Sequence, residues 1–301
     1  MADNLDPKSE GHLGQEQKLT EEVDTENNYS DLQLASAEGN LDRVLELLSL
    51  NADPNEPPIG YYGKTALQAA SSAGYLSIVE ALLSSGAEVD APGGNNGGRT
   101  ALTMAAEGGH LEIVNFLILK GADVNRPASR YMGRTALQAA AEGGHLDVVR
   151  RLLDEGAHIN APAAHNNGRT ALQAAAAGQH MEVVDLLLAE GADVNTPLMR
   201  YKGVTALQAA ALAGNAQLVR RLLAVGADVN ADGSYYNGYT ALTAVAEVGH
   251  LEIAELLLDA GADVQKTSGN KHWTPLHVAN LRGHMEIAKL LKEAEGDGQQ
   301  A

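Results

Sequence analysis

The chain lacks cysteine and has one phenylalanine (Phe116) and one tryptophan (Trp273) among 301 residues. Without cysteine there is no disulfide, no zinc-thiolate site and no cysteine nucleophile, and a reducing compartment, cytoplasmic or nuclear, is expected. Basic residues are scarce as well. Twenty-one Lys and Arg stand against 39 Asp and Glu, a net charge of −18. That balance argues against a general nucleic-acid or anionic-membrane surface, because both partners are polyanions. No stretch approaches the roughly 18 apolar residues of a membrane span. The start shows no basic segment followed by an apolar run, so no secretory signal is expected, and the Asn28-Tyr29-Ser30 sequon is expected to be silent. With so few large aromatics, the core must come from Leu, Ala and Val, which suit repeated small units.

What the chain has is repetition. Gly133-Arg134-Thr135-Ala136-Leu137-Gln138-Ala139-Ala140-Ala141-Glu142-Gly143-Gly144-His145-Leu146 has near copies starting at Gly63, Gly98, Gly168, Gly203 and Gly238, and a looser one at His272. The marker threonines Thr65, Thr100, Thr135, Thr170, Thr205, Thr240 and Thr274 are spaced by 35 residues five times and then by 34. Ser30-Asp31-Leu32-Gln33-Leu34-Ala35 aligns with them in degraded form, as an N-terminal capping unit would. A period of this kind means a stacked array rather than separate globular domains. About eight units are expected over residues 30–292, between an acidic, aperiodic tail (1–29, eight acids against Lys8 and Lys18) and an acidic C-terminal tail (293–301), both expected to be disordered.

Each unit reads as two helices and a connection. Thr135 with Gln138 has the form of a capping box. The first helix is short and alanine-rich, so neighbours can approach closely. Gly144 sits where a left-handed residue would end it. Leu146, Val149, Leu152 and Leu153 then recur on one face of a second helix, which stops at Gly156-Ala157. The connection carries Pro57, Pro92, Pro127, Pro162 and Pro197 in one slot and a glycine two residues before each of the first six marker threonines. Fixed Pro and Gly give a defined, hairpin-like finger. At Gln179 the helix-ending glycine is replaced, and a distorted turn is expected there.

Thr274-Pro275-Leu276-His277-Val278-Ala279 and Gly121-Ala122-Asp123-Val124-Asn125 resemble the signatures of ankyrin repeats. The resemblance implies a mainly α solenoid of helix-turn-helix units joined by β-hairpin-like fingers. It also implies a non-enzymatic, cofactor-free module that binds proteins through its fingers and the concave face of its first helices. Two departures stand out. Most units read Thr-Ala-Leu-Gln or Thr-Ala-Leu-Thr, and the step is 35 where the family has about 33, which places two extra residues in each finger. The Gly-Arg-Thr-Ala-Leu-Gln style also resembles arrays attached to fungal receptor-like NTPases; no NTPase module is present in this sequence.

Slots compared across units separate scaffold from candidate surface. The slot before the threonine holds Lys64, Arg99, Arg134, Arg169, Val204, Tyr239 and Trp273, basic first and apolar later. The slot four before it holds Tyr61, Asn96, Tyr131, Asn166, Tyr201, Tyr236 and Asn270. Tyr62, Arg130 and Arg200 add to the fingers. Tyr and Arg dominate binding hot spots, so these residues form a candidate ridge for a protein segment that is acidic toward one end and apolar toward the other. Inheritance by duplication, with finger packing on finger, is the competing reading. A second strip, Glu107, Glu142, Ala177, Leu212, Glu247 and Leu281, lies on the first helices.

Signals for chemistry are weak. Gly60-Tyr61-Tyr62-Gly63-Lys64-Thr65 and Gly93 to Thr100 resemble phosphate-binding loops, but Gly-Lys/Arg-Thr recurs in four units as the lead-in to a short helix. His110, His145, His180, His250 and His284 fill one slot, about 10 Å apart if units stack like packed helices. That is too far for shared zinc ligation, so they are expected to bond turn carbonyls. The reading is a monomeric adaptor or scaffold with a protein partner and no cofactor. A stoichiometric inhibitor or regulator, or a ligand-sensing array of a receptor system, is the alternative.

Overall fold

A computed structural model describes residues 29–59, 63–94, 99–127, 133–164, 168–197, 203–234, 238–267, 269 and 272–298. Among the described residues are sixteen helices in eight consecutive pairs. The first helices of the pairs are α1 (Asp31–Glu38), α3 (Ala66–Ala73), α5 (Ala101–Glu107), α7 (Ala136–Gly143), α9 (Ala171–Ala177), α11 (Ala206–Leu212), α13 (Ala241–Val248) and α15 (Pro275–Arg282). The second helices are α2 (Leu41–Ser49), α4 (Leu76–Ser84), α6 (Leu111–Leu119), α8 (Leu146–Asp154), α10 (Met181–Ala189), α12 (Ala216–Ala224), α14 (Leu251–Asp259) and α16 (Met285–Gly298).

The marker residue starts each first helix. In five units the cap hydroxyl accepts from the backbone N–H three residues on, and the glutamine there accepts from the cap N–H: Ser30/Gln33, Thr65/Gln68, Thr135/Gln138, Thr170/Gln173 and Thr205/Gln208. In the units begun by Thr100 and Thr240 the partner is a threonine, whose hydroxyl lies 3.2 and 2.9 Å from the cap hydroxyl. The helix stops where φ turns positive, as at Gly144 (φ 73°). At Gln179 the expected distortion is absent. Gly178 (φ −77°) and Gln179 (φ 60°) reproduce the Gly108 (φ −82°) and Gly109 (φ 72°) turn. A side-chain residue thus holds a left-handed backbone, at a cost of about 1–2 kcal/mol.

Alanine decides the curvature. Ala139, Ala140 and Ala141 of α7 are buried against neighbouring first helices, while α8 buries Val148, Val149 and Leu152. First helices therefore pack closer to one another than second helices do. The array bends with the first helices on its inner side. No pair covers its own apolar face. Each Leu or Val is worth about 1.5–3 kcal/mol only once a neighbouring pair buries it.

Two sets of hydrogen bonds cross unit borders, and a third ties each first helix to its own unit's finger. The histidine slot serves the preceding unit. Nε2–H of His110, His145, His180 and His284 donates to the carbonyls of Ser72, Glu107, Glu142 and Glu247 in the preceding first helix, at 3.2, 2.9, 2.9 and 3.2 Å. Each ring lies over the preceding unit's left-handed glycine; a Cβ on Gly74 would sit 2.7 Å from His110. At the opposite edge, Asn55, Asn125, Asn160, Asn195 and Asn230 bridge to the next unit. Their amide nitrogens donate to the carbonyls of Gly86, Gly156, Gly191, Gly226 and Gly261, and their Oδ1 atoms accept from the N–H groups of Glu88, His158, Asp193, Asp228 and Asp263. Third, Nε2 of Gln138 donates to the carbonyls of Ala161 and Pro162 (3.1 and 3.2 Å); Gln33 and Gln208 likewise reach two carbonyls in their units, and Gln68 and Gln173 reach one each, of Ala91 and Thr196. The capping glutamine therefore also pins the base of the finger that leads to the next unit.

The described finger stems contain no strand; a Gly238 N–H bond to the Ser234 carbonyl (3.0 Å) ties one of them. The C-terminal boundary moves. α16 runs on to Gly298, past residue 292. Lys292, Glu293, Ala294 and Glu295 favour helix, and Lys289 pairs with Glu293 at 3.7 Å one turn on. The acidic segment from 293 thus begins as helix, with 299–301 outside the described residues.

Candidate partner-binding face

The slot before each marker threonine sits at the foot of a finger, beside the first helix of its own unit and that of the unit before. Two residue sets that look separate in sequence meet here. Arg99 pairs with Glu107 at 2.8 Å. Arg134 reaches Glu142 at 2.6 Å and Glu107 at 3.5 Å. Arg169 reaches Glu142 at 3.6 Å. The expected basic ridge and the expected second strip are therefore one ladder of alternating charge, running across four units of the inner side. Exposed pairs of this kind are worth about 0–1 kcal/mol each, so the ladder fixes arginine orientation more than it stabilises the fold.

The ladder is not balanced. Lys64, Arg99, Arg134 and Arg169 face only Glu107 and Glu142, because the other two positions of the acidic slot are Ser72 and Ala177. Lys64 Nζ lies 3.2 Å from Ser72 Oγ. Burial lowers its pKa below the ordinary 10.5; Glu107 pulls the other way and Arg99 adds to the drop. A small cleft of about 20 Å³ opens between Arg134 and Arg169, floored by Gln138 and Ala174 with Glu142 on its wall. That is room for about one water-sized group.

Beyond Arg169 the same strip becomes apolar. Val204 and Leu212 are half-buried. Tyr239 follows, its phenol pKa raised above 10.0 by burial and by Glu247, with Arg282 opposing. Glu247 pairs with Arg282, and its second carboxylate oxygen is buried without a hydrogen bond. Trp273 closes the strip, its ring 5.3 Å from that of His277, and Leu281 beside it is exposed. Lys64, Arg99, Arg134, Arg169, Tyr239 and Trp273 thus lie along one side. Tyr61, Tyr62, Arg130, Tyr131, Arg200, Tyr201 and Tyr236 lie outside the described residues.

The glutamate partners were the residues that sequence reasoning kept apart from the ridge. The signal was there: Glu107 and Glu142 stand eight residues after Arg99 and Arg134, about two helical turns, so both members of each pair occupy fixed slots of one unit. The aspartates of the Ala-Asp-Val-Asn ends are structural. Asp53, Asp123, Asp193, Asp228 and Asp263 accept from the backbone N–H two residues on. Among the described residues no group of three or more His, Asp or Glu could hold a metal ion, and no helix is long and apolar enough to cross a membrane.

Stacked helical pairs, pinned connections and a continuous side-chain strip along the inner side define a tandem-repeat solenoid. A family model described as ankyrin repeats (3 copies) matches residues 32–128, 90–163, 126–198, 161–233 and 207–300. The chain belongs to the ankyrin-repeat family, whose arrays are generally protein–protein interaction modules and typically non-catalytic. No curated protein matches it significantly.

Proposed function

We propose that the protein is a non-enzymatic scaffold or adaptor that holds a segment of a partner protein along the inner strip, from the charge ladder at Lys64–Arg169 to the apolar steps at Val204, Leu212, Tyr239 and Trp273. One observation carries this reading. The strip changes side chains from unit to unit, while the caps, turn residues and border-crossing bonds around it stay nearly constant. Scaffold slots repeat because every unit has to stack; a slot free to vary is one whose neighbours do not dictate it. The strip also combines arginine and aromatic side chains on rigid elements, the residue types that anchor interfaces. A role as stoichiometric inhibitor or regulator uses the same surface and differs only in what the bound segment does elsewhere.

The test is selection of random peptides on the intact chain, followed by rebinding to a Val204→Asp/Leu212→Asp variant. Loss of rebinding at an unchanged melting temperature supports the inner strip. Undiminished rebinding, with loss instead on Leu119→Asp at the outer side, contradicts it.

A further inference from the structure

The charge ladder has two places where a carboxylate is missing. Its acidic slot reads Ser72, Glu107, Glu142, Ala177 against the basic slot Lys64, Arg99, Arg134, Arg169. The two glutamates serve the inner arginines at 2.6–2.8 Å. The outer cations are left over. Lys64 hydrogen-bonds only the Ser72 hydroxyl, at 3.2 Å, with Glu107 beyond ion-pair distance, and Arg169 has only a 3.6 Å approach to a carboxylate already held by Arg134. Next to Arg169 the charge ends and Val204 with Leu212 begins.

Spacing turns this into a pattern. Packed helices lie about 8–10 Å apart, so each unit advances the strip by about that much. A polyproline-II segment has three residues per turn at about 3.1 Å each, which puts every third side chain on the same face at about 9 Å intervals. Such a segment keeps step with the units, whereas a β-strand turns its third residue to the opposite face. Lys64 and Arg169 are three units apart, and Val204 is one further.

We propose that the strip selects an extended, polyproline-II-like segment of a partner protein in which one carboxylate seats against Lys64 and Ser72, a second seats against Arg169 beside Ala177 about nine residues away, and an apolar side chain about three residues beyond the second covers Val204 and Leu212. The segment runs in either chain direction. The inference rests on the inner strip being the binding face and adds the chemistry that it recognises. The charges that the array lacks are the ones that the partner brings, and the two built-in glutamates repel acids at the two intervening steps, so the pattern of acids is read and not merely their number.

The experiment uses randomised 13-residue peptides selected on the full-length chain and on Lys64→Glu and Arg169→Glu variants, each checked for an unchanged melting temperature. Acids are expected at two positions nine apart on the parent, with an apolar residue three beyond one of them. Lys64→Glu switches the acid that seats at Lys64 to Lys or Arg and leaves the acid that seats at Arg169; Arg169→Glu does the reverse. Each mismatch costs roughly three- to tenfold in affinity at about 50 mM salt, and less as salt rises. Peptides that bind the parent without a preference for acids, or whose preference is the same on all three proteins, overturn this proposal and leave the inner-strip reading standing. Peptides that also bind Val204→Asp/Leu212→Asp undiminished overturn both. The acidic residues 1–29 of this chain are a competing occupant. If peptides bind only after Glu16, Glu21, Glu22 and Glu26 are replaced by Gln, the strip is filled in cis and the proposal is overturned.

Discussion

Asn215 stands 3.5 Å from Gln179, its amide nitrogen donating to the glutamine Oε1. In most other units these two positions are a histidine and the left-handed glycine of the unit before. The ring of His145 fills the space that a Cβ on Gly109 would need, and His180 does so at Gly144. Gln179 has a Cβ, and the next unit accordingly carries the smaller Asn215, whose Oδ1 caps α12 through the Leu218 N–H. The two departures from the repeat compensate each other.

Asn215→His alone is therefore expected to destabilise the array by about 1–3 kcal/mol through overpacking. Gln179→Gly alone relieves the positive φ. The double replacement should regain the full staple and exceed the parent in stability. Chemical denaturation of the four proteins as a double-mutant cycle checks this, with a favourable coupling expected.

Two buried polar atoms mark units that miss the array's own solution. Asp90 occupies the bridging-asparagine slot. Its Oδ2 accepts from the Asp123 N–H at 3.0 Å, but its Oδ1 is buried without a partner. The five bridging asparagines place an amide donor there, against the carbonyl that corresponds to Gly121. Asp90→Asn should stabilise by about 1 kcal/mol. Ser71 Oγ is likewise buried and unbonded, where the units begun by Thr100, Thr135, Thr170, Thr205 and Thr240 have alanine. Ser71→Ala should also raise the melting temperature.

Gln138 joins two structures at once, the cap of α7 and the finger base at Ala161 and Pro162. Gln138→Ala leaves those carbonyls and the Thr135 N–H without their partner. The expected cost is about 1–3 kcal/mol. Hydrogen exchange should quicken at the finger base near Ala161 as well as at the start of α7. Exchange that changes at the helix start alone would limit Gln138 to capping.

Lys64 gives a pH dependence. Its folded pKa is lowered by burial, with Arg99 adding and Glu107 opposing. The unfolded chain therefore holds the proton more strongly, and stability rises with pH on approach to the ordinary value of 10.5. The penalty is fully present below the folded pKa. Lys64→Met should be more stable than the parent near neutral pH, and the advantage should shrink as pH rises toward 10.5. An advantage that is constant with pH would place its origin in packing instead.

The architecture was legible because repetition made every slot visible several times over. Thr135, Gln138, Gly144 and His145 could each be assigned a local role from the repeat alone. What the sequence did not reveal were contacts between residues far apart along the chain. The cap partner Gln138 reaches a carbonyl 23 residues on, and His145 reaches one 38 residues back; local pattern cannot register either. The ridge of Lys64, Arg99, Arg134 and Arg169 was visible, and the eight-residue spacing carried its pairs within a unit, but its cross-links were not legible, because Arg134 meets Glu107 only after two units stack. α16 runs past residue 292 because the residues after Leu291 favour helix, which the repeat length alone does not register.

The central claim is that the inner strip binds a protein segment through its variable slots. It is tested most directly by the affinity of selected peptides for the intact chain and for Val204→Asp/Leu212→Asp, measured at matched melting temperatures. A loss of at least about tenfold, or about 1.4 kcal/mol, is expected on the variant and none on Leu119→Asp at the outer side. Equal affinity for the parent and the strip variant would contradict it.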